Sequence, residues 1–359
     1  MKMMRKIIAL AMAALMVLSL SACLHKKDEI AVTVGDVKFT SAYYMCALIN
    51  AKAEAQSKVY EELSDEEKQQ EVDYFSKKID KKKFSDWVED RALEMLKEIA
   101  AYKELCKENK LELTKEKKEE VDQTVSYYWD SYGYSAMFEP NGVSRNTYAK
   151  YMEDGYLSEL YFDYVYGKEG TKALKADDVN KNITDNYILV DEIKITYEEN
   201  ATDDAKAANK TTLEGYAKDI KNGKKSFIDI YKAHNKITDE QTEETDKEEV
   251  KAVNTYANIL GKEDTNFASE DFDAYNKYEF DAPQVVENEG KTAVSLVIKR
   301  DISKDKYYMD YLDSFARHSI ADEDFKKEIS DYAKKLKVDI SSYATGQFKV
   351  KEIIEPQTA

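Results

Sequence analysis

The chain has 359 residues, of which 43% are hydrophobic and 35% charged, enough to bury a core and too apolar for global disorder. With 11 Gly and 3 Pro it is neither collagen-like nor mucin-like. Basic side chains number 54 against 71 acidic ones, a net charge of −17, which argues against a nucleic-acid partner. Three Cys and three His leave little for a metal cluster or a disulfide scaffold, and no metal or cofactor is expected.

The chain opens on basic Lys2, Arg5 and Lys6, then an apolar run from Ile7 to Leu20. That is the pattern of an export signal, and it falls short of the ~20 residues that span a bilayer. The run ends in Leu20-Ser21-Ala22-Cys23, which resembles the lipobox of bacterial lipoproteins. The resemblance implies a signal peptide over 1–22, a lipid on Cys23 and a tether over 23–29. It implies a protein anchored to the cell membrane on its extracytoplasmic face. An ordinary signal peptide with a chance Cys is the alternative. Loss of residues 1–22 removes Lys2, Arg5 and Lys6 and takes the charge from −17 to −20. Cys46 and Cys106 both lie in apolar helical patterns; a disulfide and two buried thiols both fit them.

Residues 30–39 alternate around Gly35-Asp36, which predicts a hairpin. Thr40 or Ser41 can cap a helix through Ala51, and Ser64 a short one. Residues 84–107 predict an amphipathic helix, with Leu93, Leu96, Ile99 and Ala100 at helical spacing. Thr114 caps another that runs to Trp129. Tyr127, Tyr128, Trp129, Tyr132 and Tyr134 form an aromatic cluster near Gly133. Ser144 caps a helix to about Tyr166 that is aromatic on more than one face, so it lines a groove or crowds a core.

After Gly167 the pattern changes. A short helical segment lies between Ala176 and Tyr187, and Tyr187–Tyr197 reads as a strand. Residues 200–212 are a loop or a helix start, and Leu213–Ile220 a helix closed by Asn222-Gly223. Ser226 begins another helix. Residues 236–250 form an acidic, solvated stretch, and Phe267–Phe280 a helix-and-turn stretch. Val285-Val286 and Ala293–Ile298 read as strands around an Asn288-Glu289-Gly290 turn. The end is helical again through Phe315, with Asp322 capping a further helix to Leu336, then closing strands at 338–340 and 348–354. The order predicts an α+β fold in which a mainly helical domain is interrupted by an inserted α/β module.

This order resembles the extracytoplasmic foldase lipoproteins of Gram-positive bacteria and related periplasmic chaperones with parvulin-type prolyl isomerase domains. Ala31–Thr40 looks like the opening strand pair and cap of the chaperone domain, and Leu113–Glu116 with Gly142–Tyr148 like its helix starts. Ile183–Tyr187 looks like the start of the isomerase module. Ala217–Phe227, Phe280–Val286 and Val294–Lys299 look like its helix, Gly turn and closing strands. The resemblance implies a helical chaperone domain in two parts, 30–180 and 305–359, around a parvulin-like module at 183–302. It implies unfolded or partly folded exported proteins as partners. In the family two histidines face each other in the module's crevice. Here Glu192 stands near the first position and Leu296 near the second, and His234 is the single His in 183–302.

Prolyl isomerisation opposes a resonance barrier of about 18–20 kcal/mol by favouring the twisted amide over the planar one. Without the imidazoles the expectation is weak or absent catalysis, with no catalytic residue nominated. An active isomerase with an altered site is the alternative from the enzyme class, and a lipoprotein that binds one envelope partner is the third reading. Tyr148, Tyr151 and Tyr156 are the client-binding candidates, because a Tyr ring is apolar and its hydroxyl tolerates water. His318 reads as a surface or packing residue rather than a metal ligand, and no carboxylate pair for glycoside hydrolysis can be named.

Overall fold

A computed structural model describes residues 28–237 and 257–355. The expected signal peptide, Cys23, His25 and most of the acidic 236–250 stretch lie outside the described residues. The chain is α+β. Strands β1 (Ile30–Val34) and β2 (Val37–Thr40) form the expected hairpin. Gly35 sits at its turn with φ +55°, and a Cβ there would also run into the Glu104 carboxylate, which accepts from the Asp36 N–H. Thr40 caps α1 (Ser41–Glu61) by accepting from the Tyr43 N–H. Ser64 and Glu67 close a reciprocal capping box on the single turn Asp65–Lys68.

A two-residue hairpin, β3 (Lys78–Ile79) and β4 (Lys82–Lys83), turns through Asp80 and Lys81, both at positive φ. No glycine marks this turn, so nothing in its residues signals a hairpin. Next come α2 (Phe84–Glu108), α3 (Lys115–Ser126, capped by Thr114) and α4 (Arg145–Tyr166, capped by Ser144). Cys46 and Cys106 are buried free thiols. Burial pushes both thiols up, Cys106 to about 11.

The middle of the chain holds α5 (Ala176–Asn186), β5 (Tyr187–Thr196), α6 (Asp203–Lys221) and α7 (Phe227–Asn235). It continues with β6 (Ala257–Gly261), α8 (Phe272–Asn276), β7 (Gln284–Glu287) and β8 (Ala293–Arg300). The four strands form one antiparallel sheet in the order β6-β5-β8-β7. The α6 helix begins well before Leu213 because the Thr202 hydroxyl accepts from the Ala205 N–H.

Two expectations near the C-terminus are corrected. Asp322 does not start a helix: one helix, α9, runs unbroken over Lys306–Ala333. Asp305 caps it, accepting from the Tyr307 and Tyr308 N–H groups, and Asp322 lies mid-helix bonded to His318 Nδ1 at 2.7 Å. The expected strand at 348–354 is a 3-10 turn, Val350–Glu352, since the buried Val350 and Ile353 are three apart rather than two. The other closing strand is present: β9 (Val338–Ile340) adds to β1, giving a sheet of order β2-β1-β9.

The chain divides into two compact units, one of residues 1–172 with 323–359 and one of 173–322. In the first, Phe39, Leu48, Phe84, Leu96 and Trp129 belong to a core that also takes in Ala344, Val350 and Ile353 from the chain's end. Asn141 fastens that end: its Nδ2 donates to the Ile354 carbonyl and its Oδ1 accepts from the Ile354 N–H. In the second unit the sheet is covered on both faces. Leu213, Phe227 and Ile230 of α6 and α7 pack on Ile193 and Leu296, and Phe272 and Tyr275 of α8 pack with Val190 and Val297.

Candidate functional site

The three candidate tyrosines of α4 have different surroundings. Tyr148 is 3% exposed, with its ring 4.9 Å from Phe138 and 5.6 Å from Trp129. It is a core residue, and burial holds its phenol well above the usual range. Tyr151 is half-buried, 5.3 Å from the Tyr43 ring. Tyr156 is half-buried under the Lys117 ammonium, 5.1 Å from the ring centroid. The helix therefore turns its first tyrosine inward and leaves the other two only edges to offer.

Exposed aromatic surface lies elsewhere. After α3 the helix widens into a π turn over Tyr127–Ser131, where the Tyr132 N–H donates to the Tyr127 carbonyl. Trp129 continues the buried spacing of Val121 and Val125, and Tyr127, Asp130 and Tyr132 lie outside. Gly133 at φ +73° then starts the next turn, Tyr134–Phe138. The result is a ring cluster: Tyr127, Tyr128 and Tyr132 lie 5.3–5.7 Å from one another, and Tyr134 stacks on Tyr128 at 5.2 Å. Tyr127 is 53% and Tyr132 63% exposed, so the cluster presents two rings to solvent. The sequence signal for it was Tyr132-Gly133-Tyr134, a break that one helical stripe cannot absorb.

In the second unit, strand pairing decides which side chains share a face. Ile193 pairs with Leu296 and Glu192 with Val297, and directly paired residues point the same way. Leu296 therefore faces α6 and α7, and Glu192 faces α8. The two positions where facing imidazoles were sought lie on opposite faces of the sheet, so this placement brings no pair together. His234 sits on α7, its ring edge-on to Tyr216 at 5.9 Å.

The α8 face has its own polar group. The Tyr275 hydroxyl, in a residue 3% exposed, donates to Glu192 Oε1 at 3.4 Å beside buried Ser295. Burial first, and the Glu192 charge second, push the Tyr275 phenol far above its usual value, so it is a neutral donor at physiological pH. Tyr278 stacks on Tyr275, and Leu260 and Val286 complete an apolar surround. On the same face Lys299 is buried, its ammonium donating to the Asn276 carbonyl at 2.6 Å and to its side-chain oxygen at 2.9 Å. Burial lowers its pKa. Chemically this surface offers an apolar floor and one phenolic O–H already given to a carboxylate. Among the described residues no group of three metal-ligating side chains exists, and no helix is long and apolar enough to cross a membrane.

No family model matches the chain, and no curated protein matches it. Solved structures similar to it include two foldase proteins. The foldase protein PrsA from Lactococcus lactis is 13% identical with a TM-score of 0.39, over 89% of this chain and 99% of that one. The foldase protein PrsA from Streptococcus pneumoniae is 14% identical with a TM-score of 0.37, over 67% of this chain and 82% of that one.

Proposed function

We propose that the chain is an extracytoplasmic chaperone that holds unfolded segments of exported proteins, tethered to the membrane through Cys23, with weak or absent prolyl isomerisation. The observation that carries the reading is the solvent-facing ring cluster of Tyr127 and Tyr132 in the helical unit. Rings held a few ångströms apart offer apolar contact at small entropic cost, and their hydroxyls keep the empty surface wetted. The charge of −17, or −20 after loss of residues 1–22, keeps the empty surface hydrated.

The inserted module supports the catalytic half of the reading. A twisted prolyl amide localises its lone pair on nitrogen, so a donor aimed there favours it over the planar form. On the α8 face the phenolic donor is taken by Glu192. The test is one client followed in two assays, aggregation and proline-limited refolding. The reading expects aggregation to fall with the mature protein present and the slow refolding phase to keep its rate. No protection of any client overturns the chaperone, and an accelerated slow phase overturns the catalytic half.

A second reading, an isomerase with an altered site, requires the Tyr275 hydroxyl to leave Glu192 when a prolyl amide binds. It expects an accelerated slow phase that Tyr275→Phe abolishes.

A further inference from the structure

The helical unit contains a cleft of about 390 Å³ between the end of α2, the start of α3 and the middle of α4. Five lysines line it against three carboxylates. Two of the lysines are held by one buried carboxylate. Asp154, 1% exposed, accepts from Lys103 at 2.7 Å, Lys150 at 2.9 Å and the Tyr43 hydroxyl at 3.0 Å. That satisfied carboxylate holds two ammonium groups in place while leaving them further N–H donors. The other three, Lys107, Lys110 and Lys118, are exposed and make no side-chain hydrogen bond or ion pair among the described residues.

The cleft is locally basic in a chain whose composition is acidic. The chain carries 71 acidic side chains against 54 basic ones, whereas the cleft carries five lysines against Glu112, Glu153 and Asp154. The three ammonium groups lining one cleft repel each other; Glu112 of the same lining offsets part of that repulsion, and a bound anion would offset more. Between the charges the wall is apolar: Leu111, Leu113 and Leu157, with the Cys106 thiol against the Leu157 carbonyl. A bare oxyanion has no use for that wall. A short peptide carrying carboxylates beside aliphatic side chains matches both parts, and the volume suits a few side chains.

We infer that this cleft is a docking site for an acidic, leucine-type peptide segment. It adds a second, charge-selective contact to the aromatic cluster, and it stands whether or not the protein suppresses aggregation. Such a site gives a protein of strongly negative field a local point at which acidic segments are held rather than repelled.

The test is fluorescence anisotropy at low ionic strength with a labelled peptide alternating Glu and Leu, against a Lys–Leu peptide of equal length and inorganic polyphosphate. The full mature chain is compared with a rim variant, Lys107→Glu/Lys110→Glu/Lys118→Glu. A control, Lys225→Glu/Lys262→Glu/Lys277→Glu, makes the same charge change at exposed positions of the other unit. The Glu–Leu peptide is expected to bind the parent, to lose at least about tenfold in affinity on the rim variant and to bind the control nearly as well as the parent. Methyl signals of Leu111, Leu113 and Leu157 should shift on binding. Circular dichroism checks that the rim variant is folded, and the Lys→Gln triple serves if it is not. The proposal falls if the parent does not bind the Glu–Leu peptide, if the folded rim variant binds as tightly as the parent, or if the control loses as much. It falls equally if polyphosphate takes the cleft and the peptide does not.

Discussion

Two tyrosine-rich stretches of the helical unit, 127–134 and 148–156, look alike in the sequence and fold to opposite ends. In α4 the regular helical period carries Tyr148 against Trp129 and Phe138. At the π turn Trp129 keeps the buried spacing, and Tyr127 and Tyr132 end in solvent. Aromatic composition therefore does not distinguish a core from a surface; position on the buried spacing does. The candidates Tyr148, Tyr151 and Tyr156 follow from a helix aromatic on more than one face, and the exposed rings lie in the turn that follows α3.

The contrast is sharpest in stability. Tyr148→Ala removes a fully packed ring and should cost about 3–5 kcal/mol, read as a shift in urea midpoint, whereas Tyr127→Ser with Tyr132→Ser should change stability by no more than about 0.5 kcal/mol. Equal losses would erase the distinction. Asn141→Ala comes next. It removes the bonds that fasten Ile354 beside this aromatic core, and an expected loss of about 1–3 kcal/mol should come with faster hydrogen exchange at Ile354. The double Tyr127→Ser/Tyr132→Ser variant, nearly neutral in stability, should lose protection of an aggregating client, and Tyr156→Ser should lose less. The reverse order would return the client surface to α4.

The smallest effect is one of pH. The hydrogen bond from Lys52 at 2.6 Å, together with its charge, holds the Glu355 carboxyl below its usual range. A folded-state value below the unfolded one stabilises the native chain fully above the unfolded carboxylate range, and that contribution is lost as pH falls through the folded value. Glu355 is 55% exposed, so Glu355→Gln should cost under about 1 kcal/mol at neutral pH, and the gap to the parent should close in acid. A gap that widens in acid would break the assignment.

Much of the fold was legible. Thr40, Ser64, Thr114, Ser144 and Ser226 all cap helices as a short polar side chain before an apolar period predicts. Strand β6 was not legible, because Ala257-Asn258-Ile259-Leu260-Gly261 shows no alternation and gains its strand geometry from pairing with β5. Asp322 looked like a cap, yet Ala316, Phe325 and Ile329 continue one buried stripe through it. Of the site, Glu192 and Leu296 were legible as residues but not as faces. A face follows from the parity of strand register, and register is set by partners far away in sequence. The lysine cleft was invisible for the same reason, since its charges come from three helices.

The sheet β2-β1-β9 has a kinetic consequence. Val32 pairs with Ile340, so the first strand cannot complete its sheet until the chain has been made as far as residue 340. The four strands between 187 and 300 find all their partners among themselves. For a chain delivered from its N-terminus, the sheet-bearing segment can close early, while the helical unit waits with β1 unpaired on one edge. Loop closure over that separation is slow and entropically costly. A protein proposed to shelter unfinished chains is thus itself unfinished for most of its own synthesis.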